Sequence, residues 1–256
     1  MGAREACDNG AKFDCLLFDM DDTLYPLSLG INLACRLNIQ EYLLNQLQNE
    51  ESEVAKMCLD LYRQHGTTMA GLKALGYKFD DDEFHAYYVH GRLPYHKLKP
   101  DPVLRNLLLS MPQRKIIFTN ADKDHVGKVL TKLGLEDCFE GVICFETLNP
   151  YNDGSQNLYC HFNWLIIKQL FFNDSVRNIA SGKEAGLSTV LVGSSRAAQG
   201  AADFALASIH SMKEGIGENI WGSGGLSMSG DGSEDDEQMV HLHHHQQPSP
   251  VESVQA

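Results

Sequence analysis

The chain has 256 residues, a length that corresponds to one large domain or two small ones. Lys and Arg total 21 and Asp and Glu total 34, which gives a formal net charge of −13. A protein that binds nucleic acid or an anionic membrane as its main task needs a cationic surface, so this charge argues against both partners. No apolar run reaches the roughly 18 residues of a membrane span.

The first ten residues contain no apolar stretch of the kind that a secretory signal needs. We therefore expect a cytoplasmic protein, with the nucleus as the alternative location. The seven cysteines are odd in number and include no CxxC pair. This usage predicts buried, reduced thiols and argues against a disulfide framework or a zinc site.

Short apolar runs alternate with stretches of helical periodicity along most of the chain. Runs rich in Ile, Val, Leu and Phe predict buried strands at Phe13–Phe18, Lys115–Thr119, Val142–Phe145, Leu165–Phe172 and Thr189–Gly193. Helical stretches lie between them at 102–110, 124–133 and 175–186. This alternation predicts an α/β, Rossmann-like fold, a parallel sheet with helices on both faces.

Residues 26–100 break the alternation. Apolar residues recur there at roughly helical spacing in two groups: Leu33, Leu37, Tyr42 and Leu44, and then Val54, Met57, Cys58, Leu61 and Tyr62. A further helix is predicted from about Asp80 to His90. The pattern predicts an all-α insertion between the first strand and the rest of the sheet.

Residues 222–256 have a different composition, with six acidic residues, no Lys or Arg, and the segments HLHHH and QQPSP. Little in this segment could be buried in a core, which predicts a disordered acidic and His-rich tail. Its histidines could bind a transition metal, although a solvated low-complexity run is the simpler interpretation.

Three acidic residues follow the first strand directly: Asp19, Asp21 and Asp22. Residues two apart in a strand face the same side, so Asp19 and Asp21 begin by facing one space. Ligands bind at the carboxyl ends of parallel strands, and Mg²⁺ would offset the repulsion between these acids. One carboxylate could then attack phosphorus while the other moves the proton of the leaving group. The alternative is an acidic turn without a ligand.

Two later strand ends also carry polar groups. Thr119 and Asn120 offer donors to phosphoryl oxygens, although Thr-Asn is also common in ordinary turns. Asp174 follows a buried run within Asn173-Asp174-Ser175, where it could be a metal ligand or a helix N-cap. Three such strand ends in this order are much more specific than any one of them.

These segments resemble the motifs of a known family. FDMDDTLY (18–25), IIFTNAD (116–122) and FFNDSVRNIASGKEAGL (171–187) are similar to motifs I, II and IV of the haloacid dehalogenase (HAD) superfamily. Together with YPLSLGIN (25–32) and CFETLNP (144–150), these segments are most similar in sequence to the pyrimidine 5′-nucleotidase-like phosphatases of plants and yeast. The resemblance covers about residues 10–221 and implies a Rossmann-like core with a helical cap inserted after motif I.

The resemblance also implies a role for each motif residue. Asp19 would be the nucleophile that forms an aspartyl-phosphate, and Asp21 would be the general acid and base. Thr119 and Asn120 would hold the phosphoryl oxygens. Mg²⁺ would be bound by Asp19, by the backbone carbonyl of Asp21 and by Asp174. The acid at position 21 favours a phosphatase over a dehalogenase, which lacks that acid and needs no metal.

The sequence departs from the family pattern in two places. The family expects a Lys upstream of motif IV, but residues 150–168 contain neither that motif nor a convincing helix. Lys168 would lie at the wrong end of its strand, and Lys123 is a conceivable substitute. The short interval also suggests a deletion or an alternative splice product. Asn173 and Asn178 occupy both positions at which related sequences carry a second motif IV acid.

Two functional hypotheses follow. The first is a Mg²⁺-dependent phosphatase that acts on a small phosphorylated metabolite, with a pyrimidine nucleoside 5′-monophosphate as the favoured substrate. The second is a catalytically impaired isoform that acts as a phosphate-binding or regulatory module. Both assume a core of residues 1–25 and 101–221, a cap of residues 26–100 and a tail of residues 222–256. The sequence leaves the oligomeric state open.

The cap would choose the substrate. Its residues that could contact a nucleobase, or simply pack or face solvent, are Tyr25, His65, Tyr87, Tyr88, His90, Arg92 and Tyr95.

Overall fold

The computed structural model describes residues 12–45, 50–148, 168–193 and 200–222. Its strands are β1 Cys15–Phe18, β2 Arg114–Phe118, β3 Gly141–Ile143, β4 Gln169–Asn173, β5 Ser188–Val192 and β6 Phe204–Leu206. They form one parallel sheet in the order β3-β2-β1-β4-β5-β6. The predicted α/β class with a parallel sheet is therefore confirmed.

Helices make up most of the remaining described chain. The α-helices are α1 Ile31–Asn45, α2 Glu51–His65, α3 Thr68–Ala74, α4 Asp81–Glu83, α5 Pro102–Ser110, α6 Lys123–Leu133, α7 Phe145–Leu148, α8 Val176–Glu184 and α9 Met212–Trp221. A π-helical turn spans Phe84–Val89, and 3₁₀ turns span Leu27–Leu29, Tyr95–Lys97 and Ile209–Ser211. We call residues 27–97 the helical insertion, because every regular element that the structure describes between β1 and α5 is helical.

The central strand β1 is buried on both faces. Leu16 and Phe18 join the large core cluster on one face, while Cys15 and Leu17 pack on the other face with residues of β2 and β4. This two-sided burial explains why the strand is a continuous apolar run rather than an alternating one. The large cluster also includes Tyr42 of the helical insertion, so one core joins the insertion to the sheet.

Capping side chains fix where several helices begin. The Asp101 carboxylate accepts the Leu104 backbone N–H at the start of α5, and Asp122 accepts that of His125 at the start of α6. Such caps satisfy N–H groups that have no partner within the helix. Helix α6 ends at Leu133 and is capped by Gly134, whose φ of 68° lies in the left-handed region that glycine favours.

The described elements differ from the predicted ones mainly at their ends. The predicted extension of the third strand to Phe145 is wrong, because α7 begins at that residue. The fourth strand is described only from Gln169, since residues 149–167 lie outside the described part of the chain. Strand β6 and the helices α3, α7 and α9 were not predicted. The predicted disordered tail of residues 222–256 lies outside the described residues except for Gly222.

Five described cysteines are buried free thiols, as predicted: Cys15, Cys35, Cys58, Cys138 and Cys144. Among the described residues, no helix has the length and apolar character needed to cross a membrane.

Candidate active site

The ends of three neighbouring strands bring the predicted site residues to one edge of the sheet. Phe18 pairs with Ile117 of β2 on one side and with Phe172 of β4 on the other. Asp19 continues β1 at this edge, where its backbone N–H donates to the Phe172 carbonyl at 2.9 Å. The residues beside Asp19 are therefore Phe118 of β2 and Asn173 of β4, since adjacent strands lie about 4.8 Å apart. Thr119 and Asp174 follow these two residues directly along the chain.

The predicted residues differ in how far they are buried at this edge. Asp19 is 1% exposed and Thr119 is 4% exposed, whereas Asn120 and Asp174 are half-buried. The Thr119 hydroxyl oxygen accepts the Ala121 backbone N–H at 3.2 Å, which fixes the turn that follows β2. A buried carboxylate at the end of a central strand, flanked by half-buried polar groups, is an arrangement suited to a polar ligand.

The acid at position 22 shows how closely the carboxylates are packed. Asp22 is 6% exposed and has a φ of 56°, which is uncommon for a residue other than glycine. Burial, together with the neighbouring charges of Asp174 and Asp21, raises the pKa of Asp22 to about 8, while a hydrogen bond with Asn32 acts in the opposite direction. Negative charge from β1 and β4 therefore converges on the same small volume.

Asp21 is held by two hydrogen bonds that end on the same oxygen. The Tyr25 hydroxyl donates to Oδ1 of Asp21, and His125 Nε2 lies 2.9 Å from that atom. Burial alone would raise the pKa of Asp21, but the charge and hydrogen bond of His125 and the hydrogen bond of Tyr25 lower it overall. Asp21 is therefore a carboxylate at neutral pH in this arrangement.

His125 belongs to a buried cluster of rings between α6 and the helical insertion. Its Nδ1 lies 2.6 Å from the Tyr95 hydroxyl, and its ring stacks on that of His90 with centroids 4.1 Å apart. His90 in turn stacks on His85 at 5.7 Å, and its Nδ1 pairs with the Asp122 carboxylate. The cluster connects the predicted acid and base to the insertion.

Sequence reasoning missed His125 and Asp122 as parts of this site. The pattern of residues 124–133 predicts a helix but no site residue. The signal was present in Asp122-Lys123-Asp124-His125, because a capping acid three residues before a histidine places both in the first turn after a strand end. His125 is therefore close in sequence to the predicted phosphate-binding residues Thr119 and Asn120, which marks it as a candidate site residue.

The side-chain amide of Asn173 has a structural role in the motif IV turn. Oδ1 of Asn173 accepts the Ser175 backbone N–H at 2.7 Å, and Asn173 is 1% exposed. Ser175 is the N-cap of α8, since its side chain accepts the Asn178 backbone N–H at 3.5 Å. The alternative role of Asp174 as the N-cap of α8 is therefore wrong.

The two lysines considered as stand-ins for the missing family Lys lie in different places. Lys168 precedes β4, and its backbone N–H donates to the Asp14 carboxylate at 2.8 Å. That is the strand end opposite to Asp174, as predicted. Lys123 opens α6 on the surface, and its backbone N–H donates to the Glu146 carboxylate at 3.0 Å. The other residues of the interval 150–168 are not among those described.

A small cavity of about 20 Å³ lies where the insertion meets the strand ends. It has room for about one water molecule. Its lining combines polar and apolar side chains of both parts: Asp21, Tyr25, Ile31, Asn32, Cys35, His90, Leu93, Thr119, Ala121 and His125. Of the candidate nucleobase contacts, Tyr25 and His90 line this cavity, whereas His65 is exposed and Arg92 forms an ion pair with Glu41.

The sequence model of the haloacid dehalogenase-like hydrolases matches residues 13–186. The chain belongs to this family. The match includes both predicted catalytic acids and the motif IV turn, and the six-stranded parallel sheet agrees with it.

Individual relatives of this haloacid dehalogenase-like hydrolase have low sequence identity to it. Phosphate metabolism protein 8 of Saccharomyces cerevisiae is 25% identical over 181 residues, which are 67% of this chain and 51% of that protein. The chain thus spans about half the length of this curated relative. A HAD phosphatase from Thermococcus onnurineus is 19% identical with a TM-score of 0.50, over 78% of this chain and 96% of that one. That likeness supports the fold.

A second solved structure, the L-2-haloacid dehalogenase of Xanthobacter autotrophicus, is 16% identical with a TM-score of 0.47. It covers 79% of this chain and 97% of the dehalogenase.

The predicted metal ligands of this haloacid dehalogenase-like hydrolase can be compared with the coordination that Mg²⁺ prefers. Within the described ranges, no group of three or more His, Cys, Asp or Glu side chains is arranged to hold a metal. The predicted ligands are a smaller set, namely the carboxylates of Asp19 and Asp174 and the main-chain carbonyl of Asp21. Mg²⁺ prefers oxygen ligands and retains several waters, so such a set is sufficient. The crowded negative charge around Asp22 also fits a divalent cation.

Proposed function

We propose that this haloacid dehalogenase-like hydrolase is a Mg²⁺-dependent phosphatase that acts on a small phosphomonoester through an aspartyl-phosphate on Asp19. Within that class we propose a pyrimidine nucleoside 5′-monophosphate as substrate. The observation that carries the proposal is the pair of acids at the end of β1. Asp19 is buried, and the carboxylate of Asp21, two residues further along the chain, is held by hydrogen bonds from Tyr25 and His125. Dehalogenases need the first acid but not the second.

The proposed reaction has two steps that use these acids in turn. The Asp19 carboxylate attacks phosphorus while the bond between phosphorus and the leaving oxygen breaks, and that oxygen takes a proton from Asp21 in those enzyme molecules whose Asp21 carboxyl group is protonated. Asp21, now a carboxylate, removes a proton from water, which attacks the aspartyl-phosphate and releases inorganic phosphate. The lowered pKa of Asp21 keeps its carboxyl group deprotonated, which is the form that the second step needs.

Groups at the neighbouring strand ends would orient the phosphoryl group. The Thr119 hydroxyl and the polar groups of Asn120 follow β2, beside Asp19 in the sheet. Preorganised donors of this kind stabilise the charge that develops on phosphoryl oxygens. Mg²⁺, held by Asp19, Asp174 and the carbonyl of Asp21, would neutralise charge on the phosphate and on the nucleophile when bound.

The test is phosphate release from UMP and CMP by the full chain, with and without Mg²⁺. We expect turnover that depends on Mg²⁺ and that is lost in Asp19→Asn, because the amide cannot attack phosphorus. Lys168→Met is the matched control, since Lys168 lies at the opposite strand end and its substitution should retain activity. Equal turnover by wild type and Asp19→Asn would contradict the proposal.

The second candidate is a phosphate-binding module without substantial turnover, as expected of an isoform with a shortened crossover before β4. It is favoured by Asn173, an amide that is already used in the motif IV turn and adds no charge to attract Mg²⁺. Calorimetric binding of inorganic phosphate or UMP together with absent turnover would favour this candidate. Turnover at ordinary enzymatic rates, about 1–10³ per second, would reject it.

A further inference from the structure

We propose that His125 is a positioning residue: it fixes the Asp21 carboxyl group in one orientation and couples that orientation to the helical insertion through Tyr95. This inference deepens the proposed phosphatase function and rests on it. It assigns a task to a buried histidine outside the motif residues Asp19, Asp21, Thr119 and Asp174.

The position of the His125 imidazole is fixed by the start of α6 and by a neighbouring ring. The residue is 1% exposed, and its backbone N–H donates to Oδ1 of Asp122 at 2.9 Å. Its ring lies nearly parallel to that of His90, with an interplanar angle of 13°. A ring fixed by a helix start and by a stacked neighbour presents its Nε2 to Asp21 with little rotational freedom.

The hydrogen bonds give the ring a definite polarity. A carboxylate oxygen can only accept, so Nε2 must carry the hydrogen that points to Asp21 Oδ1. In a neutral imidazole Nδ1 is then an acceptor, and the Tyr95 hydroxyl 2.6 Å away donates to it. The resulting chain runs from the Tyr95 O–H through His125 to Asp21.

The arrangement distinguishes the two oxygens of Asp21. Oδ1 accepts from both Tyr25 and His125, so it is engaged in fixing the carboxyl group. Proton exchange with the leaving group and with water is thereby assigned to Oδ2. An unfixed carboxyl group would rotate between orientations, and only some of them would bring Oδ2 towards the reacting oxygen.

Tyr95 makes this positioning depend on the insertion. It lies in the 3₁₀ turn Tyr95–Lys97 at the end of the insertion, whereas His125 lies in the first turn of α6. A displacement of the insertion that withdraws Tyr95 would remove the partner of Nδ1. The hydrogen bond from His125 to Asp21, which acts together with that from Tyr25, would then be fixed only when the insertion is seated over the strand ends.

The kinetic test compares His125→Leu, His125→Gln and Tyr95→Phe in UMP hydrolysis with Mg²⁺. Loss of an outer partner of this kind typically costs 10–100-fold in activity, so we expect kcat of His125→Leu to fall by about that factor with little change in KM. The amide N–H of His125→Gln can still reach Asp21, so it should recover part of kcat. Tyr95→Phe should lie between wild type and His125→Leu.

The matched control is His85→Leu. His85 is another buried histidine of the same ring cluster, 3% exposed, and it has no hydrogen bond to Asp21. It should keep a kcat within about threefold of wild type. The positioning role is overturned if His125→Leu is no slower than His85→Leu, or if His125→Gln is no faster than His125→Leu. If His125→Leu does not fold, the comparison of His125→Gln and Tyr95→Phe with wild type decides.

A second measurement does not depend on turnover. Nitrogen-15 NMR of the imidazole side chains in the full chain should show the His125 hydrogen on Nε2, with a signal that shifts in Tyr95→Phe and in Asp21→Asn. A hydrogen on Nδ1 alone would overturn the inference. If wild type hydrolyses no phosphomonoester but the NMR result holds, the proposed function fails while the positioning arrangement stands.

Discussion

Asp122 uses its two carboxylate oxygens for different partners. Oδ1 accepts the His125 backbone N–H at 2.9 Å, and Oδ2 pairs with the ring of His90. Burial raises the pKa of Asp122 less than its hydrogen bond to His90 and the nearby histidines lower it, so it is a carboxylate throughout the physiological range. One side chain therefore starts α6 and also binds it to the insertion.

His90 predicts how stability depends on pH. Burial lowers the pKa of His90 from 6.5 to about 4, and the neighbouring His125 acts in the same direction. Below pH 6.5 the unfolded chain binds a proton that the folded chain excludes, so stability falls as the pH decreases from 6.5 to 4. Between pH 7 and pH 5 this group should cost about 2 kcal/mol in the free energy of unfolding.

Urea unfolding at pH 7 and pH 5 measures this loss. His90→Asn removes the titrating ring, so it should show a smaller loss than wild type even if it is less stable at both pH values. His96→Asn makes the same change at an exposed histidine and should keep the loss seen in wild type. Burial also lowers the pKa of His85, which contributes in the same direction and should remain in His90→Asn. Equal losses in wild type and His90→Asn would contradict the prediction.

The position of the motif residues could be predicted because it follows from chain connectivity. Asp19, Thr119 and Asp174 each follow an apolar run, and parallel strands place all such ends at one edge. The contact of His125 with Asp21 does not follow from strand connectivity, because His125 lies in the first turn of α6 and a histidine on a helix is usually explained by packing. For its partner Tyr95, the sequence leaves a nucleobase contact, packing and solvent exposure open.

At the scale of elements, two helix glycines form a matched pair. Gly71 in α3 lies against α2, where an added Cβ would be 2.7 Å from the Leu61 Cβ. Gly127 in α6 is exposed and has open space at that position. Alanine is the better helix former by about 1 kcal/mol, so packing alone should decide the difference between the two substitutions.

Gly127→Ala should raise the free energy of unfolding by about 0.5–1 kcal/mol. Gly71→Ala should lower it by about 1 kcal/mol or more, because overpacking forces α2 and α3 apart. Urea unfolding at pH 7 measures both variants against wild type. A stabilised Gly71→Ala would show that the two helices can separate at little cost.

Most long periodic elements were predicted well and the short ones poorly; the exception is the ten-residue helix α9, which is kinked at Ile216. Helix α5 has the predicted bounds, and α6 and α8 differ from prediction by one or two residues, since amphipathic periodicity and capping residues define them. Strand β6 has three residues and offers too few positions for a pattern. Helix α3 contains Gly71, whose low helix propensity is offset by its close packing on α2.

At the scale of the whole molecule, the helical insertion is seated closely over the sheet edge. The cavity of about 20 Å³ between them is far smaller than the roughly 300 Å³ or more of a typical small-molecule site. A nucleotide could therefore enter this cavity only if the insertion moved. Arg177 of α8 would have to release the Tyr62 carbonyl of α2 if that helix took part in the movement, since Nη1 donates to it at 2.8 Å.

The continuous hydrophobic core that joins the insertion to the sheet has a consequence for optical spectroscopy. Residues 26–100 contain six of the nine tyrosines and no tryptophan, while the indole N–H of Trp221 donates to the Ser110 carbonyl at 3.1 Å, outside the insertion. Tyrosine absorbance and tryptophan emission therefore report mainly on different parts of the chain. Because one core spans both, thermal melting followed by the two signals should give a single shared midpoint, and two separated midpoints would contradict it.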